Sequence, residues 1–407
     1  RLWIKPMNTT RSIAVGVFIG AGCIYEDESN SGIAHFIEHM VFKGTKKRSA
    51  FQISEEMESK GIQINAYTSK GHTAFYTIAT DEYAEDCVEM LSDLYFNATF
   101  TEENIKKEKS VVIEEIGMSE DDPEDVCLEQ LSTAHFGNHP VANKILGNVD
   151  SVKKINKTKI KDFMHRFYTK ENTLISIVGN IEAEKAIELC KKYFVFEEKE
   201  PQALPELPEC TQTATSVIRF KDLEQANIAI GFPQFSYFDD RSISSALVSN
   251  LLGGGMSSRL FQRLREELGM VYNVYATDYQ YSTCGYSVIF LATGPATAEQ
   301  AVLAVKEVLQ EVREKGFCEQ ELKKAKAQFK AASILAAESS SFLMRTGGRR
   351  GILMDTEFDL DERIAEIESV TLESAKEVFE TVFDLSKASF SYVGKECATD
   401  FEALIRG

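Results

Sequence analysis

The chain has 407 residues, 43% hydrophobic and 27% charged, which is ordinary composition for a folded protein and enough length for two to three domains with ample core. Its formal net charge of -18 disfavours nucleic acid or an anionic membrane as a partner and favours a cationic ligand such as a basic peptide. No apolar run of about 18 residues occurs, so no membrane span is expected. The eight cysteines are scattered singly without a CxxC pair, which suits reduced core thiols better than a disulfide framework or a cysteine zinc site.

No signal peptide is visible, and the chain begins at Arg1 in what reads as a strand. Residues 12–20, SIAVGVFIG, read as a buried strand, and an acidic loop leads from it into SGIAHFIEHMVFKGT at 31–45. There His35, Glu38 and His39 fall at i, i+3 and i+4 of a helical pattern, so both imidazoles and the carboxylate share one face. Two neutral imidazoles so spaced make two legs of a tetrahedral zinc site, and a carboxylate beside them is placed to take a proton from an attacking water. A second helix near 51–60 ends at Gly61, after which 62–69 and 73–80 read as a hairpin.

The third ligand is sought in the helix expected at 101–116, capped by Thr101. Ile105, Val111, Val112, Ile113 and Ile116 define its inward arc, and Lys106, Lys107, Ser110 and Glu114 its outward one. Glu108 and Glu115 fall inside the apolar arc, seven residues apart. A buried carboxylate is costly unless a cation or hydrogen-bond donors compensate it, so both are candidates for a metal or for the imidazoles around it; a helix rolled far enough for both to reach water is the other reading. Beyond it, 117–131 is acidic. His135 and His139 are again four apart, but Gly137 and Pro140 argue against a helix and for a loop or structural role. A strand at 173–179 closes the first half, and 197–216, with Pro201, Pro205 and Pro208, reads as a linker.

The second half repeats the first. FTEENIKKEK at 100–109 matches FCEQELKKAK at 317–326, and ISIVGN is echoed by FSYVGK. At this offset of 217 residues Glu108 becomes Ala325 and Glu115 becomes Ala332, and the segment matching HFIEH reads ALVSNLLGGG, without histidine. The fold is therefore duplicated with metal chemistry kept only in the N-terminal copy, a contrast that weighs against a purely structural Glu108. Gly253 to Gly255 lack the Gly-Lys-Ser/Thr of a phosphate loop, so nucleotide binding is not expected.

His35-Phe36-Ile37-Glu38-His39 followed by Glu108 and Glu115 resembles the inverted zinc motif of the pitrilysin/insulinase metallopeptidases, in the branch of the mitochondrial and bacterial processing peptidases. HFIEHMVFKGT, INAYTSKGHT, EKSVVIEE, HPVANKILG and GGGMSSRLFQRLREELGMVYNVY all have family counterparts, so the likeness covers nearly the whole chain. It implies one Zn2+ per chain on His35, His39 and Glu115, water activation by Glu38, and a supporting Glu108 that orients a ligand or tunes its charge; the same ligands suit other metals. It makes the strand with Asn65, Ala66 and Tyr67 an edge to which an extended substrate adds by backbone pairing, with Phe42 a further substrate contact. Asp125 and Glu129 align with positions that hold a substrate arginine in processing peptidases, although a solvated acidic helix start accounts for them equally well. Arg265 and Tyr272 match a pair that reaches the substrate and stabilises its developing oxyanion. One departure is Gly71, where the family often has an acidic residue.

The expected fold is α+β, an α/β sandwich of two homologous repeats, each a mostly antiparallel sheet packed with helices: residues 1–196 catalytic, 197–216 linker, 217–407 without metal. The expected function is zinc endopeptidase action on unfolded or short peptides in an enclosed acidic chamber, preferring basic residues near the cleaved bond. The alternative is a catalytically silent scaffold or core subunit of the same fold. The expected partners are a peptide substrate and a second copy in a homodimer, or a related subunit in a heterodimer, with no nucleic acid and no membrane, in a bacterial cytoplasm.

Overall fold

Each half of the chain folds its most apolar runs into the middle of a five-stranded sheet. The computed structural model describes residues 1–197 and 203–406. Strands β1 (Leu2–Pro6), β2 (Ser12–Ile19), β3 (Gln63–Thr68), β4 (Thr73–Thr80) and β5 (Thr173–Gly179) lie in the order β1-β5-β2-β4-β3, with β1 parallel to β5 and the other pairs antiparallel. Strands β6 (Ser216–Phe220), β7 (Ala226–Gln234), β8 (Val271–Gln280), β9 (Gly285–Thr293) and β10 (Ser389–Gly394) repeat it as β6-β10-β7-β9-β8, again with one parallel edge pair. The strand order is the same strand for strand, which is the duplication in three dimensions.

Helices α1 (Ile33–Val41), α2 (Ala50–Ser59), α3 (Ala84–Asn97), α4 (Glu102–Asp121), α5 (Pro123–Phe136), α6 (Val149–Lys154), α7 (Lys157–Phe167) and α8 (Ala183–Tyr193) belong to the first half of the sequence. The second half supplies α9 (Ser242–Gly253), α10 (Ala298–Lys315), α11 (Glu319–Ala337), α12 (Ser340–Leu353), α13 (Leu360–Ser369), α14 (Leu372–Val382) and α15 (Phe401–Arg406). Among the described residues no helix is long and apolar enough to cross a membrane.

Successive strand residues face opposite sides of a sheet. In β2, Ile13, Val15, Val17 and Ile19 join Phe36, Met40, Leu91 and Val112 in one core, while Ala14 and Phe18 join Trp3, Leu174, Val178 and Met344 in another. Both faces are buried, which is why SIAVGVFI reads as a continuous apolar run. The second face is covered by α12, from the other half of the sequence, and Ser176 Oγ donates to Met344 O at 2.9 Å. Its glycines permit the close approach: a Cβ at Gly348 would stand 2.1 Å from the Phe18 ring, and one at Gly347 2.3 Å from Trp3. On the second sheet the corresponding place is taken by α5, whose Leu131 lies where a Cβ on Gly231 would come within 3.2 Å and whose His135 Nδ1 is 2.9 Å from Ser389 Oγ.

The compact units are therefore interleaved: Arg1–Gly117, Asn143–Glu206 and Ile334–Asp359 form one, and Met118–Ala142, Leu207–Ser333 and Leu360–Gly407 the other. The expected division at 196 and 217 follows the repeat, whereas the units exchange α5 and α12, which start and end 217 residues apart. In the expected linker, residues 203–215 carry no regular element and β6 begins at Ser216, while Pro201 lies outside the described residues. Two local expectations are corrected. Val111 is 49% exposed because α4 buries a narrow stripe of Ile105, Glu108 and Val112. His135 is helical, since α5 runs to Phe136 and ends at Gly137 with φ +56°.

Candidate metal centre

The centre is built in the first unit from α1 and α4. The amphipathic pattern of α1 buries Ile33, Phe36, Ile37 and Met40. No side chain caps it from the ordinary N-cap position, because that residue is Gly32 at φ +86°. Instead the carboxylate of Glu26 accepts hydrogen bonds from Gly32 N–H at 2.6 Å and Ala34 N–H at 2.8 Å. It thereby answers the orphan donors of the first turn, and burial pushes its carboxyl up to about 7.

From this anchored helix, His35 Nε2 and His39 Nε2 approach to 3.2 Å, and Glu115 Oε2 on α4 stands 3.7 Å from the first and 3.4 Å from the second. Glu115 Oε2 is buried with no hydrogen-bond partner, although two imidazole nitrogens face it. Three donor atoms converging without a hydrogen bond that uses the carboxylate are what a cation would satisfy, and two imidazoles with one carboxylate is a donor set suited to catalytic zinc. The residues present therefore fit the metal.

Glu108, 3% exposed, supports the set from behind. Its Oε1 lies 2.9 Å from His39 Nδ1 and its Oε2 2.8 Å from Lys43 Nζ. Burial works to raise this carboxyl, but the bonds from His39 and Lys43 outweigh it and hold it below the usual value. His39 is raised by the Glu108 bond, with Glu115 and Glu38 adding to it. His35 is pushed down to about 4 by burial and then by the charge of His39. At neutral pH the His35 ring is therefore neutral, and His39 donates from Nδ1 to Glu108 so that Nε2 points inward.

Glu38 lies beside the donors, its carboxyl raised chiefly by burial, and its Oε2 accepts from Thr68 Oγ1 at 2.6 Å. Thr68 ends β3, which among the described residues pairs only with β4 and is the edge of the first sheet. Asn65, Ala66 and Tyr67 lie on that edge: Asn65 Oδ1 accepts from Ala66 N–H at 2.8 Å, and Tyr67 Oη is 3.2 Å from His72 Nε2. Phe42 is the half-buried C-cap of α1, its ring 6.5 Å from that of Phe75. At Gly71 a Cβ would meet Leu353 Cδ2 at 3.2 Å, a close contact with the end of a side chain.

The remaining expected residues lie in the second unit. Arg265, on a π-helical turn at Phe261–Glu267, donates to Tyr272 O at 2.9 Å and stacks over the Tyr272 ring at 5.1 Å. Tyr272 is 74% exposed and borders an open cleft of about 570 Å³ with Asp122, Glu124 and Glu224. Asp125 and Glu129 sit on α5 and do not line that cleft; partial burial and the charges of Asp122 and Glu129 raise the Asp125 carboxyl.

Sequence reasoning missed Glu26, Lys43, Thr68 and Tyr168. Lys43 lies four residues after His39 inside the motif, which was a usable signal. Thr68 and Glu26 act through folded contacts and left none. Tyr168 has a buried hydroxyl without a hydrogen-bond partner, and its pKa is raised by burial, then by Tyr95 and Glu38.

Fold and donor set together define a class: a duplicated α+β chain whose first copy alone carries a His-His-Glu centre. The model of the insulinase family, peptidase family M16, matches residues 3–149, and that of the peptidase M16 inactive domain matches residues 154–329. A Bacillus subtilis protein named as a zinc protease, YmxG, is 37% identical over 375 residues, 92% of this chain and 91% of that protein. A Streptomyces coelicolor protein also named as a zinc protease is 28% identical, over 97% of this chain and 87% of its own length. Among solved structures, a protease from Helicobacter pylori has a TM-score of 0.90 at 21% identity over 96% of each chain. An M16-like peptidase from Alicyclobacillus acidocaldarius has 0.86 at 23% identity, over 97% of this chain and 96% of that one, and both are likenesses of fold. The chain belongs to the insulinase family of peptidases, family M16.

Proposed function

We propose that the chain is a zinc-dependent endopeptidase for short or unfolded peptides. The observation that carries this reading is the convergence of His35 Nε2, His39 Nε2 and the unpartnered Glu115 Oε2 beside Glu38. Zinc held by these three residues supplies Lewis-acid chemistry toward a peptide carbonyl and toward water. Glu38 takes the proton of the attacking water and returns it to the leaving amine, and its raised pKa suits a group that must do both. Thr68 holds that carboxylate at the end of β3, so a peptide laid along the Asn65–Ala66–Tyr67 edge presents its backbone next to the base. Glu108 keeps His39 in the tautomer that turns Nε2 inward.

Arg265 and Tyr272 are proposed as further substrate contacts, Asp125 and Glu129 as a site for a basic residue near the cleaved bond, and a homodimer enclosing a chamber as the working form. The net charge of -18 supports a basic substrate. The test is cleavage of a basic quenched-fluorescent peptide library by the native protein beside Glu38→Gln, with zinc quantified in both. About one zinc per chain in each and cleavage by the native protein alone is the expected result. Zinc in both with no cleavage by either sinks the peptidase reading in favour of a silent scaffold.

A further inference from the structure

Two cysteines in the second unit have no task in peptide hydrolysis and stand together. Cys284, buried, immediately precedes β9, and Cys210, half-buried, lies in the extended strap that leads into β6. Their sulfurs and one ring nitrogen of His139 all lie within 4.8 Å of one another.

The pairing is built by ordered backbone on both sides of Cys210. Before it, Pro208 O is held by His139 Nε2 at 3.0 Å. After it, Gln212 Nε2 donates to Gly285 O at 3.4 Å, next to Cys284 itself, and Thr213 N–H donates to His135 O at 2.8 Å. Ser389 Oγ then donates to Thr213 O at 2.9 Å. The strap is thus tied to α5, β9 and β10 by hydrogen bonds that follow Cys210, and to His139 by one that precedes it.

We propose that Cys210 and Cys284 are a reversible dithiol–disulfide site that latches the strap to the β8–β9 hairpin. This stands independently of the peptidase reading. A metal is the weaker account of the cluster, because His139 Nδ1 accepts from Val141 N–H at 3.2 Å and Nε2 therefore carries the hydrogen given to Pro208 O. Both ring nitrogens are committed, which leaves two thiols where a structural zinc takes four ligands.

The two thiols also differ in the way an exchange pair needs. A hydrogen bond from Cys284 holds the Cys210 thiol below its usual range against the effect of burial, and the same bond together with burial raises Cys284. Cys210 is then the attacking sulfur and Cys284 the resolving one. With a peroxide as oxidant, the Cys210 sulfur attacks one oxygen, the O–O bond breaks, and hydroxide leaves a sulfenic acid behind. The Cys284 sulfur, losing its proton to that hydroxide, attacks the Cys210 sulfur and expels the second oxygen as hydroxide, which takes up the proton that Cys210 gave up on attack and leaves as water. Two thiols lose two electrons, and hydrogen peroxide becomes two waters.

The experiment treats the full chain with hydrogen peroxide, alkylates the remaining thiols in denaturant, and maps unreduced peptides by mass spectrometry. Two of the eight thiols should be lost, a peptide linking 210 to 284 should appear, and dithiothreitol should restore both thiols. Cys210→Ser, in the strap, should abolish the linked peptide, while Cys318→Ser, at an exposed position, should leave it unchanged. The wild-type map needs no variant to fold, so it stands alone. Cys210 reaching sulfinic acid without a link, a link between chains instead, or a second stoichiometric zinc or copper lost in Cys210→Ser would each overturn the proposal.

Discussion

His39 works through both of its nitrogens. Its Nδ1–H is spent on Glu108, which is itself tied to Lys43, and this leaves Nε2 free to face inward. Glu108→Gln keeps the shape and removes the charge, so zinc affinity should fall about 10- to 100-fold, as for other partners of metal-bound histidines. Competition with a chelator measures it, and an unchanged affinity would make Glu108 a bystander. Glu26 permits a second prediction. Its carboxyl titrates near 4.5 in an unfolded chain and about 7 in the folded one, so between those values the folded chain holds a proton that the unfolded chain has lost. Stability should therefore fall as pH rises from about 4.5 through about 7, by on the order of 3 kcal/mol, and stay flat above. Urea unfolding in chelator at several pH values should show this extra slope in the native chain and not in Glu26→Gln, which isolates it from the histidines. At this scale, legibility follows sequence distance. His35, Glu38 and His39 are visible because one helical turn sets their geometry, and Glu108 and Glu115 because carboxylates broke an apolar arc. Glu26 and Thr68 were invisible because each meets its partner only after the chain has folded.

The helices and strands were legible where local pattern decides them and misread where packing does. β3 alternates like any strand, and nothing in QINAYT says that it is an edge; the sheet order does. Its open side leads to a test of the substrate reading. The Ala66 N–H is met by the Asn65 side chain at 2.8 Å, a bond that a substrate carbonyl would replace. Ala66→Pro removes this donor at an edge position, where proline is tolerated. kcat/KM should fall about 10-fold, the worth of one backbone hydrogen bond, while zinc content stays the same. Full activity in this variant would mean that peptides do not add to β3. The α12 segment was unread for a different reason. Its RTGGRRG run looks like a poor helix, since glycine costs about 1 kcal/mol per residue in a helix interior. The glycines are there because Phe18, Trp3 and Leu174 occupy the space that their side chains would need, so packing overrides propensity.

Over the whole molecule, the duplication could be read from FTEENIKKEK and FCEQELKKAK, but the exchange of α5 and α12 could not. A repeat is found by comparing sequence with sequence, whereas the exchange concerns which sheet a helix covers. Its consequence is that neither half of the sequence contains a complete core. Residues 1–196 alone hold every proposed zinc ligand and all five strands of the first sheet, yet the face formed by Ala14, Phe18, Ala74, Leu174 and Val178 would lack Leu343, Met344 and Ile352. An apolar sheet face left open to water is an association surface. Residues 1–196 expressed alone should therefore aggregate or unfold without cooperativity, and should bind an apolar dye. Co-expression with residues 217–407, which carry α12, should restore a soluble complex with about one zinc. The same logic runs the other way, because 217–407 alone lacks α5, with Cys127, Leu131 and Phe136. If 1–196 alone melts cooperatively and holds zinc, then the first sheet does not need α12, and the duplication divides the chain as cleanly in space as in sequence.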